Sequence, residues 1–181
     1  MTNKIKQIPF SHPDIQEIEL KAVESVIRSG WLAHGEFSKK LEDLFCAYTG
    51  AKYATTVSNC TAGLHLSCLV ANFGPGDEVI VPAQTHTATA HAVEYTGAKV
   101  IFVDVDRLTG NMSINELKSK ITSSTKGVIP VHMAGYPCEM EEIKKICNEF
   151  NLVLIEDCAH AIGTNYKGEH VGNFGLTGCF S

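Results

Sequence analysis

Leu152-Val153-Leu154-Ile155-Glu156-Asp157-Cys158-Ala159-His160 decides the fold of this chain: an unbroken apolar run, then two carboxylates, then an imidazole. A short apolar run that stops abruptly in charge reads as a strand buried on both faces of a parallel sheet. Ligands of open α/β sheets sit in the crevice beyond the carboxyl ends of such strands. The sequence therefore predicts that Glu156, Asp157 and His160 are delivered together to a ligand-holding crevice.

Outward from that run, β-rich windows at 53–57, 78–81, 99–105, 127–131 and 152–156 alternate with helical windows at 61–72, 87–96, 114–121 and 139–150. This is the pattern of βαβ units and a mostly parallel α/β sheet with helices on both faces. Gly74-Pro75-Gly76-Asp77 is a turn signal between the first of these helices and the strand at 78–81. Apolar stripes at helical spacing predict two more helices, at 14–29 and 37–48, with Gly30-Trp31-Leu32-Ala33-His34-Gly35 as the loop between them. Trp31 reads either as a core plug or as a ligand contact. The division expected is residues 1–35 as an N-terminal helix and loop, and 36–181 as the ligand-binding domain. Gly178-Cys179-Phe180-Ser181 resembles the opening of another strand. The sheet is therefore expected to be incomplete at its C-terminus, and the chain to be a piece of a longer protein.

Composition narrows the function. With 181 residues, 44% hydrophobic and 19% charged, the chain can bury a full core. A net charge of -5 offers no basic stripe for a phosphate backbone, which argues against nucleic acid. Met1 to Phe10 lacks the apolar core of a leader, and no stretch is apolar enough to span a membrane, so a cytoplasmic protein is expected. Cys46, Cys60, Cys68, Cys138, Cys147, Cys158 and Cys179 form no paired C-x-x-C motif. They read as reduced thiols, with neither a disulfide framework nor a structural metal site.

Several side chains are placed for chemistry. Ser58-Asn59-Cys60-Thr61-Ala62-Gly63 leaves a predicted strand and opens a predicted helix, so it is either an anion seat or an ordinary N-cap. Asp157, at a buried strand end, calls for a cationic or strongly donating partner; a protonated pyridine nitrogen, a following turn or a magnesium ion are the alternatives. His160 either bonds a ring hydroxyl or serves as a satisfied core histidine. His86, in Pro82-Ala83-Gln84-Thr85-His86-Thr87-Ala88-Thr89, can present a flat face to an aromatic ligand. His91 reads as a helix-surface residue, and Asp104 with Asp106 as a solvated turn.

Taken in order, Ser58-Asn59-Cys60-Thr61-Ala62, Gly74-Pro75-Gly76-Asp77-Glu78-Val79-Ile80-Val81-Pro82, Thr85-His86-Thr87-Ala88-Thr89, Ile129-Pro130-Val131-His132, Ile155-Glu156-Asp157-Cys158-Ala159-His160 and Gly178-Cys179-Phe180-Ser181 closely resemble the DegT/DnrJ/EryC1/StrS family. These are sugar aminotransferases that use pyridoxal 5'-phosphate on the aspartate-aminotransferase fold (fold type I). The resemblance implies that Thr61 and Ala62 hold the cofactor phosphate, and that His86 stands where an aromatic ring usually stacks. It implies that Asp157 salt-bridges the pyridine nitrogen, that His160 contacts the ring oxygen, and that Ser181 touches the phosphate. It places the Schiff-base lysine a few residues beyond Ser181; none of Lys126, Lys144, Lys145 or Lys167 matches that position. No catalytic residue is thus expected in this chain, which is expected to be inactive alone. For the intact protein it implies a nucleotide-linked keto-sugar substrate, an amino-acid donor, a homodimer, and a place in deoxyamino-sugar biosynthesis for polysaccharides or antibiotics.

Three alternatives remain. A histidine in place of the missing lysine would make the enzyme a keto-deoxysugar dehydratase of the same fold. A non-catalytic sensor could keep the cofactor fold. A nucleotide- or dinucleotide-binding α/β protein would want G-x-G-x-x-G after the first strand, which Ser58–Gly63 does not supply.

Overall fold

The computed structural model describes residues 12–181, and these divide into two compact units, one ending at Leu41 and the other running Glu42–Ser181. Residues 1–10, read above for a leader, lie outside the described residues. In the first unit α1 (Glu17–Ser29) opens with the Glu19 carboxylate accepting the Gln16 N–H at 2.8 Å, and closes on Gly30 at φ +72°. A 14-residue helix α2 (Glu36–Thr49) follows. No helix among the described residues is long and apolar enough to cross a membrane.

The second unit holds α3 (Cys60–Val70), β1 (Glu78–Pro82), α4 (Thr87–Glu94), β2 (Lys99–Val103), α5 (Ile114–Ser119), β3 (Thr125–Val128), α6 (Met140–Phe150), β4 (Val153–Asp157), the short strands β5 (Asn165–Tyr166) and β6 (Glu169–His170), and β7 (Thr177–Cys179). Five of these strands form one parallel sheet in the order β2-β1-β3-β4-β7. Alternation along each strand sends side chains to two separate cores. Val79, Val81, Ile129 and Ile155 meet α3 and α4 through Leu64, Cys68, Ala92 and Val93. Ile80, Val128 and Leu154 meet α5 and α6 through Leu117, Met140, Ile143 and Ile146. The chain thus crosses one face on leaving β1 and the other on leaving β3, and ligands of doubly wound sheets bind at such a reversal.

All six predicted helices form, with ends displaced by a few residues. One predicted strand does not: 53–57 joins no ladder. The Thr56 N–H donates to Glu42 Oε1 at 2.8 Å, and Tyr53 is exposed, so β propensity there finds no neighbour to pair with. The strand predicted to reach Val105 stops at Val103, where Asp104 Oδ1 takes the Val105 N–H at 2.8 Å. That predicted at 127–131 is ordered as Thr125–Val128; Pro130 has no N–H to give to a ladder, and Val131 makes only an isolated bridge to Asp157. Gly127 is required for packing, because a Cβ there would lie 2.2 Å from Phe73 Cζ.

The cysteines are all free, and Cys68, Cys138, Cys147, Cys158 and Cys179 are buried. Burial pushes the thiols of Cys68, Cys138 and Cys147 up to about 12 and that of Cys179 up to about 11, and pushes Cys158 higher still. Unfolded thiols ionise near ~8.5, so above that pH the unfolded chain sheds protons that the folded chain keeps. Stability is therefore undiminished below ~8.5 and falls as pH rises, by up to roughly 1.4 kcal/mol per pH unit for each such thiol. Urea midpoints taken from pH 8 to 10 should drop steeply; a flat profile would show that these thiols ionise in the folded protein.

Candidate active site

The two carboxylates at the end of β4 do not share a site. Because successive side chains of a strand point to opposite faces, Asp157 faces α3 and α4 while Glu156 faces the loop that leads to β7. The expectation that both are delivered to one crevice is corrected by the pleat itself.

Glu156 is wholly buried and fully satisfied. Its Oε1 accepts the N–H groups of Phe174 (2.8 Å) and Gly175 (2.9 Å), and its Oε2 accepts that of Gly172 (2.8 Å). The His132 imidazole, also 0% exposed, stands 3.1 Å from Oε2 through Nε2. His132 Nδ1 accepts the Cys138 N–H at 3.1 Å, so the proton is on Nε2 and donates to the carboxylate. Gly175 comes this close because it has no side chain; a Cβ would sit 2.4 Å from the Leu154 carbonyl oxygen. His132, Glu156 and Cys158 also lie close enough to suggest a metal site. The donor set argues otherwise: both carboxylate oxygens and both imidazole nitrogens are already committed, and the Cys158 thiol is pushed far up by burial. Glu156 is a clamp that fixes residues 172–175, and hence β7, against β4.

Asp157 is 4% exposed and differently served. Its Oδ2 accepts the Thr89 hydroxyl at 2.7 Å, and Thr89 Oγ1 lies 2.7 Å from Thr85 Oγ1. Its Oδ1 has only longer contacts, from the Ala159 N–H at 3.2 Å and the Cys60 thiol at 4.0 Å. Among the described residues no cationic side chain pairs with it. A buried carboxylate served by neutral donors, with one oxygen weakly engaged, fits a cationic N–H from a flat heterocycle.

The other predicted residues lie at helix starts and beyond strand ends. His86 is the N-cap of α4, one turn before Thr89, and its Nδ1 accepts the Ala88 N–H at 3.1 Å; the ring is exposed and carries its proton on Nε2. His160 is exposed three residues beyond Asp157, its Nδ1 accepting the Ala134 N–H at 3.2 Å. That bond latches the turn Met133–Gly135, where Ala134 holds φ +51°. At the start of α3 the Asn59 side chain accepts the Ala62 N–H at 2.9 Å. The N-cap reading is thus realised at Ala62, while the preceding N–H groups of Cys60 and Thr61 have no intrahelical acceptor. Ser181 follows β7, whose Cys179 Sγ lies 3.3 Å from Ser67 Oγ on α3. The sequence reading assigned nothing to Thr89 or His132; a threonine three residues after His86, among alanines, was the available signal.

The fold has counterparts among known proteins. The model of the DegT/DnrJ/EryC1/StrS aminotransferase family matches residues 13–181. GDP-perosamine synthase of Escherichia coli O157:H7 is 43% identical over 178 residues, 98% of this chain and 49% of that protein. An aminotransferase structure from Psychrobacter cryohalolentis superposes with a TM-score of 0.92 at 38% identity, covering 96% of this chain and 45% of that one. The GDP-4-keto-6-deoxy-D-mannose-3-dehydratase of E. coli, with hydrated PLP bound, gives 0.91 at 34% identity, covering 97% and 46%. The chain spans about half the length of the curated relatives it matches.

Glu156→Gln turns one acceptor oxygen into an amide donor facing backbone N–H groups. The cost of such a mismatch at a buried site is about 2–4 kcal/mol, which at this size lowers the melting temperature by roughly 5–15 °C. Calorimetry should record that loss; an unchanged melting temperature would mean that the clamp contributes nothing.

Proposed function

The chain belongs to the DegT/DnrJ/EryC1/StrS aminotransferase family, and from that premise we propose that it forms the cofactor floor of a pyridoxal-phosphate-dependent sugar aminotransferase. The observation that carries the reading is the Asp157 carboxylate, buried without a described cation and with Oδ1 only weakly engaged. When bound, pyridoxal phosphate supplies an electron-withdrawing heterocycle that stabilises negative charge on a substrate carbon. Asp157 accepts the hydrogen bond of its ring nitrogen and keeps that nitrogen protonated. Thr61, with the free N–H groups and positive dipole end of α3, takes the phosphate, with Ser181 adding a hydroxyl. Ala62, whose N–H is taken by Asn59, contributes a small side chain that lets the phosphate approach the backbone. His86 lays its ring against the heterocycle, and His160 holds a proton at the ring hydroxyl.

A nucleotide-linked keto-sugar is the substrate class suggested by the GDP-perosamine synthase and GDP-sugar dehydratase likenesses. An amino acid as amino donor and a second copy of the chain as partner complete the proposal, on the family resemblance alone. Amination is preferred to dehydration because, among the solved structures, the aminotransferase is 38% identical and the dehydratase 34%. The reading places the anchoring amine outside these residues. Lys167 pairs with Glu141, and Lys144 stands 5.9 Å above the Phe174 ring, so both are engaged away from Asp157.

The 181-residue chain should therefore bind pyridoxal phosphate reversibly, and borohydride treatment of the complex should leave no adduct concentrated on any one lysine by mass spectrometry. Asp157→Asn should weaken binding about tenfold or more, the scale of a hydrogen bond to a charged group. Equal affinity in Asp157→Asn, or a reduced adduct on a single lysine, would contradict the assignment.

A further inference from the structure

Thr89 is wholly buried between sheet and helix, beside Ala88, Ala90, Ala92 and Val93. Valine would fill the same volume without a hydroxyl to desolvate, so packing alone does not account for threonine there. The hydroxyl is committed in a fixed direction. An ionised carboxylate only accepts, so the single Thr89 proton goes to Asp157 Oδ2 at 2.7 Å, and the Thr85 hydroxyl, also at 2.7 Å, must donate to Thr89. Thr85 and Thr89 are four residues apart, with Thr89 one helical turn into α4 and Thr85 on the strand-end loop next to His86. The result is a directed two-hydroxyl relay ending on the carboxylate. It holds Oδ2 firmly and leaves Oδ1 the less committed oxygen.

We propose that Thr89, itself oriented by Thr85, is the positioning residue that aims Asp157 Oδ1 at the pyridine nitrogen, a role that rests on the cofactor reading above. Thr89 does not touch the cofactor; it fixes the plane of the carboxylate and helps hold its negative charge, so the bond to the ring nitrogen forms without reorienting a buried group. A hydroxyl present only for packing would have no reason to distinguish a ring nitrogen from a ring carbon.

Equilibrium dialysis of the 181-residue chain against pyridoxal phosphate and against its 1-deaza analogue, in which a C–H replaces the ring nitrogen, makes that distinction. The unsubstituted chain should prefer pyridoxal phosphate. Thr89→Val should raise the Kd for pyridoxal phosphate about tenfold, about 1.4 kcal/mol, and leave that for the analogue within about twofold; Thr89→Ser should restore the preference. Thr85→Val, which loosens the relay without baring the carboxylate, should show a smaller loss of the same kind and serves as the second variant should Thr89→Val fail to fold. Equal weakening of both ligands in the Thr89 and Thr85 variants, or no weakening of either, overturns the positioning role. If the unsubstituted chain binds both ligands equally, the assignment of Asp157 to the ring nitrogen fails first and the role of Thr89 fails with it.

Discussion

The pleat at the carboxyl end of β4 is the constraint on which the site depends. Two adjacent carboxylates leave the sheet in opposite directions, and each meets a different fate. Glu156 is spent on architecture, gathering three backbone N–H groups and one imidazole N–H. Asp157 is left with a hydroxyl, one backbone N–H and a distant thiol. The first carboxylate is saturated and has nothing left to offer a ligand. The second keeps acceptor capacity while only 4% exposed.

The two fates are coupled through the backbone. His132, whose ring donates to Glu156, also donates its backbone N–H to the Asp157 carbonyl at 3.2 Å, and the Cys158 N–H reaches Cys179 O on β7 at 2.8 Å. The clamp on one face therefore sets where the strand ends on the other. The reversal of the sheet at β1 and β3 brings α3 and α4 onto the same face as Asp157. A helix start with free N–H groups, a histidine at a helix cap and a buried carboxylate thus converge from three separate stretches of sequence.

Much of the fold is legible in the amino-acid sequence. The apolar run at 152–155 announces a buried parallel strand, and the helical windows locate all six helices. The candidate site rests mainly on the ordered motifs, because Thr61, His86 and Asp157 each have an unremarkable reading when taken alone. What was misread has physical causes. Tyr53–Val57 has strand composition but finds no ladder, since pairing is non-local and composition does not reveal the neighbour. The joint delivery of Glu156 and Asp157 ignored the alternation of a strand. The β5–β6 hairpin was passed over because its two-residue turn uses Lys167 at φ +50° before Gly168 at φ +90°, and a lysine is an uncommon occupant of that conformation. The Thr85–Thr89 relay was invisible because a hydroxyl's direction is set by the groups around it, not by its place in the sequence.

The most direct measurement is the nitrogen-15 NMR spectrum of ring-labelled pyridoxal phosphate bound to this chain, recorded at neutral pH. With Asp157 as its partner, the ring nitrogen should resonate as a protonated pyridinium and show a one-bond coupling to hydrogen, and both signatures should vanish in Asp157→Asn. A bound nitrogen that resonates as an unprotonated pyridine in the unsubstituted chain would contradict the assignment of that carboxylate, and with it the identity of the crevice.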